Sequence, residues 1–539
     1  MLAALGVAAV LVASADAWLQ LGRHDHDGAS TPAPTSTASP SSSADGSAAQ
    51  AAGNWSRLTP AAASVAEAAE EALPGTPGWQ VGSTAGRRPG LDAFADQVSV
   101  RPGDPVRLFI SSTTATVRLR ALRIGDYAGV GARQVWAGTA TAAAQPAAVV
   151  DDGVVPGAGG LRGTHLVRAP WAATTTVATA GWPEGHYLLR LDAGAASRYV
   201  PLTVRSATGK GRVVVMSAPL TWQAYNSWGG ASLYGDERTR AVLAQAASFD
   251  RPYSDGFGSG RFLTYDSPLS SAVQGMRLPV AWVTDLDLAR HPDLLDGAAA
   301  LVVGGHAEYW TAGLRDTVEK AVARGTNLAV FGANTAYWRV RLAGDRAIVT
   351  TKSARLDPLA TTDPHGATAR FRDAPAARPE ELLTGMRYDC FPAQADWVVS
   401  DATWWGYAGT GLQDGQRLKG LVGPEADRVY PSAERPTPEQ VVAYVKYPCG
   451  GRGATAHSGV YWVAPSGAGV FVAGTMRWPC ALDVVECRDV PGAEDRRLVR
   501  QVTRTIVMGF GEPKAGLRHP AVENVARFWL PTRSTTGAS

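Results

Sequence analysis

The chain has 539 residues, 45% of them hydrophobic, which is enough for several domains and a sizeable buried core. Its formal net charge is +3, and Lys and Arg are scattered with no long basic run, which argues against nucleic acid as the main partner. Seventeen Trp is a high count, and clustered Trp lines pockets or packs sheet faces where its indole N–H finds an acceptor.

The first stretch, 1–22, is mostly apolar and reads as a signal peptide or a membrane anchor. A bilayer-spanning helix needs roughly 20 such residues, while Ala13-Ser14-Ala15 and Ala15-Asp16-Ala17 both fit a small-residue cleavage pattern. Either reading implies export, to a secreted or surface-anchored location. Residues 23–57 are rich in Ser, Thr, Ala and Pro, a composition that builds no core and predicts an extended, disordered tether. Residues 58–89 follow as a short helical and linker segment, with a helix expected within 58–75.

From 90 to 205 short runs such as "DQVSVRPGDPVRLFISS" and "GHYLLRLDAG" alternate apolar and polar residues between Gly, Pro and Asp turns. This predicts an antiparallel β-sandwich region. From 206 to 512 the texture changes. "RVVVMSAP", "PVAWVTDLDL", "ALVVGG" and "NLAVFGAN" carry continuous apolar runs, as expected of strands buried on both faces. Helices are expected at 236–249 and at 311–325, the latter with Thr311 as N-cap and Gly325 as stop. Strands alternating with helices predict an α/β fold with a mostly parallel sheet. A closing helix is expected at 494–511, and 513–539 reads as a C-terminal tail.

Four cysteines fit an oxidising compartment. Of three connectivities, Cys480–Cys487 with Cys390–Cys449 is favoured because the first pair closes a short local loop. The spacing lacks the CxxC of a zinc site.

In a parallel α/β sheet ligands bind beyond the carboxyl ends of the strands. The residues delivered there are Tyr225, Asn226 and Tyr234 after the first run, His306 and Glu308 after "ALVVGG", and Asn334 after "NLAVFGA". No Ser or Cys occupies a GxSxG-like elbow, and no GxGxxG or Walker loop is present at these turns, so nucleophilic-triad and nucleotide readings recede. Carboxylate and phenol oxygens are hard ligands that suit a hard ion such as ferric iron. Taken singly, each residue has an ordinary structural explanation: a hydrogen-bonded His, a Glu at a helix start, packing Tyr, a capping Asn.

"LTWQAYNSWGGASLYG", "VVGGHAEYWTAGLRDTVEKAVARGTNLAVFGANTAYWRVR" and "GTGLQDGQRLKGLVGPEAD" resemble the large (beta) subunit of N,N-dimethylformamidase, with the likeness running over about 182–511. The resemblance implies an amidotransferase-like α/β domain and a mononuclear iron held by two tyrosines and a glutamate. By motif these are Glu308 in "GHAEYW", Tyr225 in "TWQAYN" and Tyr187 in "WPEGHYLLRL". It implies His306, Asn334, Lys352 and Glu425 as the surrounding catalytic residues. Ala307 departs from the acid often found there, and no small subunit is visible in the chain.

The reading is an exported, iron-dependent hydrolase cleaving the C–N bond of a small, formamide-like amide. Its partners are that substrate and, if the first segment is uncleaved, the membrane, with a homo-oligomer left open. Two rivals are a non-catalytic surface module that stacks sugars on exposed Trp in "DATWWGYAG", and a hydrolase of larger extracellular amides on the same scaffold.

Overall fold

A computed structural model describes residues 60–235, 241–432, 434–483, 487 and 491–529. The segments read as leader, anchor and tether, and the last ten residues of the expected tail, lie outside the described residues. Among those described, no helix is long and apolar enough to cross a membrane.

The first element among the described residues is helix α1 (Pro60–Glu71), inside the expected 58–75. Its acids turn inward. Glu67 accepts from Arg123 Nη2 at 2.7 and 2.8 Å and from Trp282 Nε1 at 3.1 Å. Glu70 accepts from the Tyr127 hydroxyl at 2.9 Å and from Arg133 Nε at 2.7 Å. Arg123 and Glu67 are fully buried, so each charge is matched where an unmatched one would be costly.

Two sheets then face each other. One contains Leu91–Ala95, Pro105–Ser112 and Thr175–Ala178; the other contains Ser99–Val100, Thr116–Ile124, Ala132–Thr141, Gly185–Ala193 and Ala196–Val204. Pairing is antiparallel, except where Ser99–Val100 runs parallel to the end of Ala196–Val204. Alternate residues from both sheets, including Leu108, Ile110, Leu119, Leu189 and Leu202, fill one core. The period-2 pattern of the sequence is this inward and outward alternation.

The second body is built on a seven-stranded sheet. Its strands are β1 (Val213–Ser217), β2 (Val280–Thr284), β3 (Ala300–Val303), β4 (Asn327–Val330), β5 (Glu439–Pro448), β6 (Ala454–Val463) and β7 (Gly469–Val472), in the spatial order β2-β1-β3-β4-β7-β6-β5. The four runs that read as strands are β1 to β4. They pair in parallel, and β7 joins them in parallel. β5 and β6 then run antiparallel. The sheet is therefore mixed, and the smaller sheets around it are largely antiparallel, which corrects the expectation of a mostly parallel architecture. The cause is the β5–β6 hairpin: tightly joined strands pair antiparallel, and parallel ones need a long crossover.

Helix α2 (Pro219–Tyr225) follows β1, and helix α3 (Ala312–Ala323) links β3 to β4. Thr311 caps α3, its hydroxyl accepting from Leu314 N–H at 3.0 Å, and Gly325 follows its end at φ +105°. The expected helix at 236–249 is absent from the described part of that stretch, which instead forms short strands Val242–Leu243 and Ala246–Ser248. Ala246–Ser248 pairs with Ala347–Val349, and this long-range pairing overrides the local helical composition. Helix α4 (Ala493–Gly509) closes the fold as expected. Both favoured disulfides form, Cys390–Cys449 and Cys480–Cys487.

The "DATWWGYAG" tryptophans are not an exposed platform. Trp404 is buried and stacks on Phe471 with centroids 5.4 Å apart, and Trp405 stacks on His519 at 4.2 Å.

Candidate active site

Pro219 starts α2 directly beyond β1, at a position where its missing N–H costs nothing. The helix is buried throughout and ends on Tyr225. The chain then reverses through Gly229 and Gly230, at φ +76° and +91°, a region glycine enters without strain. It returns so that Leu233 N–H donates to Ala224 O at 3.0 Å. This turn sets Tyr234 beside Tyr225, with the rings stacked at 4.5 Å.

Beyond β3 the segment 306–308 is clamped from two sides. Tyr309 N–H donates to the Thr221 hydroxyl of α2 at 3.1 Å. From beyond β4, Tyr337 and Trp338 donate their N–H groups to Glu308 O at 2.9 and 3.0 Å. Gly332 allows the two turns to approach, because a Cβ there would sit 2.6 Å from the Gly304 and Gly305 oxygens.

These devices bring the side chains together. The Tyr225 hydroxyl donates to Glu308 Oε2 and the Tyr234 hydroxyl to Glu308 Oε1, both at 2.6 Å. His306 Nε2 lies 3.4 Å from Glu308 and 3.7 Å from Glu425. Neither ring nitrogen of His306 has a well-formed hydrogen bond, although the residue is buried. Asn334, at φ +55°, donates through Nδ2 to Glu425 Oε2 at 2.8 Å and through its backbone N–H to Asp427 at 2.9 Å. Lys352, also at φ +55°, sets its ammonium over the Tyr234 ring at 3.4 Å, near Trp338 at 5.1 Å.

Burial dominates the electrostatics. It pushes the Tyr225 and Tyr234 phenols well up, reinforced by the Glu308 charge. Burial also works against ionised Glu308, but His306 and the two phenol donors outweigh it and hold that carboxyl below its usual range. Glu425, desolvated and facing Glu308, is pushed well up. The two buried carboxyls are thus pushed in opposite directions, a separation that acid–base sites use. Burial lowers His306, and it lowers Lys352 to about 7 against the pull of Glu308.

Of the residues singled out in the sequence, Tyr225, His306, Glu308, Asn334, Lys352 and Glu425 converge. Tyr187 does not. It lies in the sandwich core, fully buried, its hydroxyl donating to Pro183 O at 2.6 Å and its ring against Trp182. Tyr234 takes the place expected of it, so the pair on the glutamate is Tyr225 and Tyr234. The sequence offered Tyr234 only as one of the polar residues past the first apolar run, not as the partner of Tyr225. It gave no sign of three neighbours: Arg261, stacked over the Tyr225 ring at 3.7 Å; Tyr265, whose ring meets His306 at 5.6 Å; and Trp338, whose Nε1 donates to the Tyr234 hydroxyl at 3.3 Å. Arg261 and Tyr265 also line a cleft of about 1140 Å³.

Two phenols and a carboxylate form a compact set of three hard oxygen donors able to hold a hard cation. Among the described residues, no three His, Cys, Asp or Glu side chains form a metal-holding group, so the tyrosines are essential to any such site. A mixed α/β fold with paired carboxyls, an imidazole and phenols gathered beyond its parallel strands is an arrangement suited to moving protons and holding a hard cation. The chain belongs to the N,N-dimethylformamidase beta subunit-like, C-terminal family, whose model matches residues 118–493 and takes in every residue of the cluster. None of the curated proteins matches it.

Proposed function

We propose that this protein is an iron-dependent hydrolase of the amide C–N bond, working outside the cytoplasm. The observation that carries the reading is the convergence of the Tyr225 and Tyr234 hydroxyls on the two oxygens of Glu308. These three side chains would hold a ferric ion as phenolates and carboxylate, and buried His306, with no well-formed hydrogen bond at either ring nitrogen, fits a site still short of a polar partner. When bound, such an ion supplies Lewis acidity to an amide carbonyl and lowers the pKa of water, from 15.7 towards about 7 in the strongest cases.

The remaining residues handle protons and position. His306 stands between Glu308 and Glu425, within ion-pair distance of both, and is placed to take a proton from water. Glu425, held by the Asn334 amide, is placed to deliver a proton to the departing amine. Lys352 brings its amino group to the rim of the cluster, placed to donate to the charge that develops on the amide oxygen. Family membership supports amide hydrolysis, and the five parallel strands with this cluster beyond them support an amidotransferase-like ancestry for the sheet. Two disulfides support an exported location, whether secreted or anchored.

The test is metal analysis of the purified protein with an amidase assay. Iron near one equivalent, a visible phenolate-to-iron band and amide turnover together are expected. Protein that stays colourless and inactive after iron loading would end the proposal.

A further inference from the structure

The outer face of the three-stranded sandwich sheet breaks the pattern of its strands. Leu91–Ala95 and Pro105–Ser112 set Phe94 directly opposite Phe109. The flanking Ala93, Ala95, Leu108 and Ile110 fill the core, so by alternation positions 94 and 109 point away from it, where polar side chains are expected. The two rings lie face to face, with centroids 4.7 Å apart and planes 5° from parallel. Trp171 adjoins Phe94 at 5.6 Å, its indole N–H donating to Pro146 O at 2.8 Å. All three rings line a groove of about 620 Å³, walled by the hairpin of Val149–Asp151 and Leu166–Arg168. Apolar surface held in a concavity marks a ligand site.

The row of rings continues past the groove. Trp171 meets Trp228 edge-on at 5.6 Å, and Trp228 lines the cleft of about 1140 Å³ together with Tyr253 and Phe257. Consecutive aromatic rings therefore connect one concavity to the other. That layout suits an extended chain better than a single small molecule.

The polar groups select the chemistry. The ionisable residues lining the groove are Asp151, Asp152 and Asp250 against Arg168. Arg168 pairs with Asp151, and Asp250 with Arg346 at 2.8 Å. Asp152 meets His165, through the backbone N–H at 3.0 Å and Nδ1 at 3.3 Å. Carboxylates in excess repel an anionic chain, and carboxylates already matched to guanidinium groups gain little from a cation. Each still has acceptor capacity for hydroxyl groups. The near-parallel rings form a floor, whereas an ammonium group is held over ring faces turned towards it. A sugar ring presents a flat C–H face bordered by hydroxyls, which matches an aromatic floor rimmed by acceptors.

We infer that this aromatic row is a binding track for a neutral polysaccharide, separate from the Glu308 cluster and independent of the amide-hydrolase reading.

The experiment is calorimetric titration of the full chain with neutral gluco-, xylo- and manno-oligosaccharides, monomers to hexamers, with choline and hexagalacturonate as charged probes. At least one neutral series should bind, with affinity rising roughly tenfold or more from monomer to hexamer. Trp171→Ala should weaken the hexamer by roughly tenfold, the scale of one lost aromatic partner. Trp171→Phe, which keeps a ring, should restore part of the loss. Val150→Arg, on the exposed groove wall, should weaken the hexamer at unchanged Tm, which separates lost binding from lost fold. Equal affinity for monomer and hexamer overturns the track. Tighter binding of choline or hexagalacturonate than of every neutral hexamer overturns the ligand class. Hexamer binding untouched by both Trp171→Ala and Val150→Arg, or no binding in any series, overturns the inference as a whole.

Discussion

Tyr225 and Tyr234 stack with ring centroids 4.5 Å apart and donate to opposite oxygens of the same carboxylate, that of Glu308. Neither tyrosine could be replaced by Phe without leaving one oxygen of a buried charge without its donor. The pair comes from one short segment folded back on itself.

Tyr234→Phe should therefore remove or shift the visible band, cut bound iron, and lower kcat/KM by at least about hundredfold, since even groups that only support metal ligands are worth 10–100-fold. Tyr187→Phe should leave band and turnover unchanged. It removes a buried hydrogen bond to Pro183 O, so its cost is stability, about 1 kcal/mol. Metal content, spectrum and thermal unfolding separate the two. A Tyr187→Phe protein without iron would restore Tyr187 to the site.

Glu308→Gln removes the charge that both phenols address and puts an amide donor beside two hydroxyl donors. Iron content and activity should fall together. Glu425→Gln keeps the Asn334 contact available through the amide oxygen, so iron should stay while kcat falls and KM holds. Equal metal loss in both variants would contradict this division.

Cys390–Cys449 spans 59 residues of sequence and Cys480–Cys487 spans 7. Loop-closure entropy predicts losses of about 4 and about 2 kcal/mol respectively when each is replaced by an Ala pair. Denaturant midpoints of the two double variants should rank in that order. The Cys480–Cys487 variant should also alter binding in the cleft, because both residues line it.

His186 and His457 are buried, and burial holds both imidazoles at about 4 against an ordinary 6.5. Above pH 6.5 neither folded nor unfolded chain carries these protons, and stability is indifferent to them. Between pH 6.5 and 4 the unfolded chain takes up protons that the folded one refuses, so stability falls as pH falls. The loss is on the order of 3 kcal/mol per histidine. The Tm should drop steeply over this window. His457→Gln, which can still donate to the Ala473 oxygen now met by Nε2 at 3.0 Å, should flatten the acid limb. An unchanged limb in His457→Gln would show that other groups set the acid sensitivity.

The four apolar runs were legible as strands because a strand buried on both faces has no polar side to alternate. The sandwich was legible because its strands have one. Glu308, His306 and Asn334 were legible as residues just past strand ends. What failed was information held elsewhere in the chain. Whether Ala246–Ser248 is helix or strand depends on Ala347–Val349, and the parallel run breaks at β7–β6–β5 for reasons of connection, not composition. Tyr187 and Tyr234 have the same side chain in apolar surroundings. Only the Gly229-Gly230 reversal decides which of them meets Glu308, and a strand motif cannot report that. Arg261 and Tyr265 reach the site from a segment with no strand end of its own.

Helix α1 has a consequence for how far the chain can be shortened. Glu67 holds a guanidinium from the sandwich and an indole from the α/β sheet at once, so α1 is a wedge between the two bodies. Shortening the chain past Glu70 would take from buried Arg123 the Glu67 carboxylate it meets at 2.7 Å, at a cost of about 3–5 kcal/mol. Any trimmed, still-active form must keep Glu67, however remote that residue is from the chemistry.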